Sequence, residues 1–91
     1  SAQQAAKIVA NAKKQEEQTI KHARNEYKEA VDQAEKKYKG TKNWADEQYR
    51  VNRSISKKEY QDIVKNAKRQ RDESIKHAKN KRDAVIANAK T

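Results

Sequence analysis

With 40% charged and only 33% apolar residues, and no Leu, Phe, Met, Cys or Pro, this 91-residue chain cannot wrap a globular core around itself. At ~25 cal/mol per Å² the alanines, which form nearly half of the apolar set, bury too little to offset the entropy of ordering. Lack of cysteine excludes a disulfide framework, a thiolate metal site and a cysteine nucleophile, and no run approaches the ~18 apolar residues of a membrane-spanning helix. The net charge of +10 leaves an anionic neighbour or a well-solvated helix face as the role of the basic groups.

Abundant Ala, Lys, Gln, Glu and Arg with no proline predict helix. The first predicted element covers residues 2–39 and is stopped by Gly40, the only glycine, as a C-terminal cap. Asn43 then caps a short helix over 43–52, with Asp46 and Glu47 in its first turn. The last helix covers 56–90 and opens on Ser56-Lys57-Lys58-Glu59, a capping box in which Ser56 and Glu59 satisfy orphan amides reciprocally. Ile55 and Tyr60 flank it at hydrophobic-staple positions. The chain starts at Ser1 rather than Met, so we read it as a piece of a longer protein.

An internal repeat organises these elements. Residues 8–36 align without gaps on residues 63–91, and the tetrapeptide Ile20-Lys21-His22-Ala23 recurs as Ile75-Lys76-His77-Ala78. The offset is five elevens. One column of period eleven reads Ala12, Ala23, Ala34, Ala45, Ser56, Ala67, Ala78, Ala89; a second reads Val9, Ile20, Val31, Lys42, Arg53, Val64, Ile75, Ile86. A third takes in every tyrosine of the chain, Tyr27, Tyr38, Tyr49 and Tyr60. A heptad step from Ala12 meets Thr19, Glu26, Gln33 and Gly40, so a heptad coiled coil is excluded. Eleven residues in three turns imply right-handed coiling of whatever helices share the stripe.

The expected fold class is therefore all-α: a right-handed coiled-coil-type rod, single and elongated, ~135 Å long if straight. It is kinked or broken near 40 and 53–56, where Lys42, Arg53 and Ser56 interrupt the stripe. Because Tyr38, Tyr49 and Tyr60 keep one column through both breaks, the rod is preferred over the alternative, an antiparallel helical hairpin. A lone straight rod cannot bury its stripe, so self-association as a homo-oligomer of a few helices is expected.

No constellation for chemistry emerges. His22 and His77 each lie beside a core Ala with one carboxylate a turn away, Glu26 and Glu73, and neither has the further ligands or nucleophile that metal binding or catalysis needs. Glu16/Glu17 and Asp72/Glu73 are paired carboxylates on solvated helix without a cleft. We expect no enzyme activity, no metal and no cofactor. Trp44 is expected to pack at the junction. Residues 64–82 hold eight Lys/Arg against Asp72 and Glu73, but without aromatic stacking groups they predict only weak, non-specific nucleic-acid binding. No membrane insertion is expected.

The stretches 11–27, 27–50 and 51–90, with their "AKxQRDE", "YKGxxxWA" and "SISKxEY" phrases, resemble the central repeats of tail tape-measure proteins of long-tailed phages and prophages of Gram-positive bacteria. The resemblance covers essentially the whole chain, and no single phrase in it is diagnostic. It implies a helical ruler lying in the tail tube against the tube protein, located in the virion tail, or in the host cytoplasm during assembly. The alternatives are a generic coiled-coil scaffold or stalk, cytoplasmic in location, and a basic nucleic-acid-binding helix.

Overall fold

A computed structural model describes all residues, Ser1–Thr91. The chain is all-α. Helix α1 runs unbroken from Ala2 to Asp46, continues as one π-helical stretch over Glu47–Val51, and is followed after a short loop by α2, Lys57–Ala89. The two helices pack along their length as an antiparallel hairpin measuring 76 × 18 × 8 Å between Cα extremes.

The continuous rod expected from the sequence is corrected here: its ~135 Å is replaced by 76 Å, because the chain folds back after residue 51. In-phase tyrosines do not discriminate between the two arrangements. Eleven residues separate Tyr49 from Tyr60 in either case, and in the hairpin their rings meet at 5.1 Å. A hairpin buries the stripe within one chain, and closing so short a loop costs little conformational entropy beyond a constant.

The expected break near 40, and with it the separate helix over 43–52, is also absent. Gly40 sits inside α1 with negative φ and open space where a Cβ would stand. A single glycine costs a helix only ~1 kcal/mol relative to alanine, which packing against α2 outweighs. The stop comes later. Asn52 keeps helical dihedrals, Arg53 turns left-handed at φ 53°, and the Ser54 amide donates to the Gln48 carbonyl at 2.8 Å. Ser54 Oγ also donates to Gln48 Oε1 at 2.7 Å. The position where glycine would relieve strain is thus held by arginine, and the only glycine lies elsewhere.

Both helices open on capping boxes. Ser1 Oγ accepts from the Gln4 amide at 3.3 Å. At α2, Ser56 Oγ accepts from the Glu59 amide and the Ser56 amide donates to Glu59 Oε1, both at 3.0 Å. Backbone amide donation holds the Glu59 carboxyl below its ordinary value.

Candidate functional site

The residues that the two helices turn toward each other form the only extended constellation in the molecule. Along α1 and the π-helical stretch the stripe steps through Ile20, Ala23, Tyr27, Val31, Ala34, Tyr38, Lys42, Ala45 and Tyr49, all buried or half-buried, with half-buried Ala30, Thr41, Asp46 and Gln48 flanking it. On α2 it steps through Tyr60, Val64, Ala67, Arg71, Ile75, Ala78, Arg82, Ile86 and Ala89, with half-buried Ile63 and Val85 flanking it. Both series follow the four-three-four rhythm of an eleven-residue repeat. The fully buried residues are Ala23, Ala34, Ala45 and Ala67. Small alanine side chains at these levels let the two backbones approach each other.

Three observed pairs define the register: Tyr49 with Tyr60, Arg71 over the Tyr38 ring at 4.5 Å, and Arg82 over the Tyr27 ring at 4.3 Å. Each step of eleven back along α1 matches a step of eleven forward along α2. The tyrosine column therefore pairs with itself, and its α2 continuation is arginine. The same register sets Ala45, Ala34 and Ala23 level with Val64, Ile75 and Ile86, and Val31 and Ile20 level with Ala78 and Ala89. A small residue faces a β-branched one at each of these levels.

Arg71 and Arg82 are the seam residues that reading the sequence missed, although both lie on the period of eleven beyond Tyr60. Their side chains are 29% and 25% exposed, and each guanidinium also donates to its neighbouring carboxylate, Asp72 or Asp83. Guanidinium over a tyrosine face contributes about 0.5–1 kcal/mol at partly exposed sites. Two of the eight basic groups of the 64–82 stretch are thus engaged in the seam, and Arg69 pairs with Glu73.

Lys42 occupies a Val/Ile position level with Ala67, and its ammonium reaches out of the seam to Asp46 Oδ2 at 3.0 Å. The Tyr60 hydroxyl donates to the other Asp46 oxygen. This small network ties the end of α1 to the start of α2. The Tyr60 bond, then the Lys42 bond, holds the Asp46 carboxyl below its ordinary range. Bonding to Asp46 raises both Tyr60 and Lys42.

Elsewhere the titratable groups lie on open helix surface. His22 Nε2 is 3.0 Å from Glu26, and Lys81 is 3.9 Å from the other Glu26 oxygen. His77 lines an open groove of about 700 Å³ left between the helices where Ala23, Ala30 and Ala78 are small. No three His, Asp or Glu side chains converge on a common point, and no buried polar atom lacks a partner. Trp44 does not pack at the junction: it is 52% exposed. Val9 and Ala12 carry the stripe on α1 beyond the end of α2 and are exposed. No helix is long and apolar enough to cross a membrane.

No family model, curated protein or solved structure matches the chain.

Proposed function

We propose that this chain is a structural, non-catalytic element, a self-paired helical spacer of the coiled-coil scaffold or stalk class. One observation carries the reading. Every eleven-residue level of the seam is occupied by side chains that pack or stack across it, from Tyr49–Tyr60 to Arg82–Tyr27, and the titratable groups within it, the tyrosines, Lys42, Arg71 and Arg82, are taken up in ring contacts or in bonds to Asp46. The seam sets a length and a direction, and the charged outer surface keeps it solvated. Spin labels on exposed Lys21 and Asn43 should report one narrow distance near ~33 Å, the rise of continuous α-helix across Gly40. A broad or bimodal distribution would make the chain a flexible tether instead.

A second reading keeps the tape-measure role that the sequence resemblance implies, and the uninterrupted phase of the eleven-residue columns favours it. The fold-back changes its arithmetic. A paired hairpin advances about half the ~1.5 Å per residue of a single rod. Serial deletion of repeat units in a parent phage therefore distinguishes the two forms. A ruler lying as a rod shortens tails by about 16 Å per eleven residues removed, and one lying as hairpins by about half that. Tail lengths that ignore the deletions would leave only the spacer.

A further inference from the structure

Charge is divided unevenly between the two broad sides of the hairpin. The groove on one side sets the carboxylates of Glu26, Glu29 and Glu73 against Lys37 and Lys81, while the seam residue Arg82 reaches both sides. On the other side Arg24 and Lys28 line a shallower groove with Asp83. The eleven-residue columns carry this second side along both helices. Lys28 recurs as Lys39 and Arg50. Lys79, which follows seam Ala78 as Arg24 follows Ala23, recurs as Lys68 and Lys57. With Tyr27 level with Arg82 and Tyr38 with Arg71, Lys28 comes within two residues of the level of Lys79, Lys39 of Lys68, and Arg50 of Lys57. Three rungs of like charge thus follow one another at about 16 Å, the rise of eleven helical residues.

All six rung residues are exposed, and none is in an ion pair. The carboxylates on their side are already taken, Asp46 by Lys42, Asp72 by Arg71 and Asp83 by Arg82, which leaves Glu35. The grooved side makes the opposite choice. The same step between the helices there sets Glu26 opposite Lys81, 3.9 Å apart, Lys37 opposite Gln70 and Gln48 opposite Glu59, so no like charges meet. Like charges held across a pair of helices repel and cost stability. That repulsion is kept at every rung of one side and at none of the other, and an external anion offsets it.

We propose that the rung side seats the phosphate backbone of duplex nucleic acid without reading its sequence. One turn of duplex is ~34 Å long and carries two strands, so a straight rod laid along it crosses a phosphate strand every ~17 Å on average. The rungs recur at nearly that interval. Five of the six residues are lysines, compact point charges that suit phosphate rather than the bidentate reading of base edges. No ring stands on this side to stack an unpaired base. The tyrosines lie in the seam, and exposed Trp44 and Val51 continue the columns of Gln33 and Glu29, which line the opposite groove. A bilayer likewise finds no apolar group among the rungs to insert. Only Lys68 and Lys79 belong to the basic 64–82 stretch, so the surface exists once the hairpin closes and not before. It is independent of whether the hairpin serves as a spacer.

Fluorescence polarisation of the whole chain with a labelled mixed-sequence DNA duplex of about 24 base pairs, titrated at a series of salt concentrations, tests this. Six phosphate contacts give a slope of about −5 in log affinity against log salt. The triple variant Lys39→Gln/Lys68→Gln/Lys79→Gln should bring the slope to about −3 and weaken binding at least ~10-fold near 100 mM salt. Lys37→Gln/Lys58→Gln/Lys81→Gln removes the same charge away from the rungs and should move the slope by less than ~1. Thermal melting shows that both variants fold and gives a second reading. The rung variant should melt above the parent, because its repulsion is released, and the other variant should not. Absence of duplex binding near ~50 mM salt, equal losses in the two variants, or a rung variant less stable than the parent would each overturn the proposal. So would tighter binding to the single strand of the same length, or to phosphatidylserine-containing vesicles, than to the duplex.

Discussion

Removing one repeat unit from each arm tests whether the eleven-residue register, rather than general helicity, holds the hairpin together. Residues Arg24–Ala34 of α1 and Ile75–Val85 of α2 lie level with one another in the observed register. With both stretches deleted, Ala23 takes the place of Ala34 and Ile86 that of Ile75, while Tyr38 still meets Arg71. The shortened hairpin should lose ~16 Å of its 76 Å length. At roughly 0.05–0.15 kcal/mol per residue, loss of two elevens costs a net ~1–3 kcal/mol, since the chain entropy released offsets most of the lost burial. Deleting only Ala30–Ala34 and Ile75–Lys79 removes fewer residues but rotates each distal arm by ~140°. The stripe from Tyr27 to Ile20 and from Arg82 to Ala89 then turns to solvent, and that half of the hairpin should melt. Far-UV circular dichroism against urea gives the stabilities, and small-angle scattering gives the lengths. If the five-residue deletion proves as stable as the eleven-residue one, or if the maximum dimension does not shorten, the register argument fails.

Two further predictions concern the backbone and pH. Gly40→Ala should raise stability by about 1 kcal/mol, because the added methyl meets open space and alanine is the better helix former; Arg53→Gly should raise it by about 0.5–1 kcal/mol by relieving the left-handed conformation. Thermal melts of both variants and their combination check these values, and additivity is expected for sites this far apart in the chain. Asp46 holds its proton more weakly folded than unfolded, so its contribution is complete above the ordinary 3.8 and is lost as pH falls below that value. Tyr60 and Lys42 hold theirs more strongly, so their contributions are complete below 10.0 and are lost as pH climbs through the raised values. Urea midpoints measured against pH should fall at both extremes; Tyr60→Phe should flatten the alkaline side, and Asp46→Asn should flatten both. The residual acid sensitivity of Asp46→Asn is expected from Glu59, whose carboxyl is lowered from 4.5 by the Ser56 cap.

What the sequence determined by itself is local and periodic. Helix follows from composition, the contact stripe from the columns of eleven, and the start of α2 from Ser56 and Glu59, whose reciprocal bonds depend only on neighbours three residues apart. Arg71 and Arg82 were open to the same reasoning: they lie on the tyrosine column, but a charged residue at a seam position makes sense only once a ring is known to face it. The tertiary structure decided direction. A period of eleven continues in phase through a straight rod and, equally, through a hairpin whose tyrosine column is its own partner, so periodicity alone left the two undivided. Gly40 looked like the stopping point because glycine weakens a helix by about 1 kcal/mol in isolation. Packing against α2 overrides that preference, and the chain turns instead at Arg53, a residue with no intrinsic tendency to do so. Folding back wins because it buries Ala23, Ala34, Ala45 and Ala67 within a single chain. A rod obtains that burial only from another molecule.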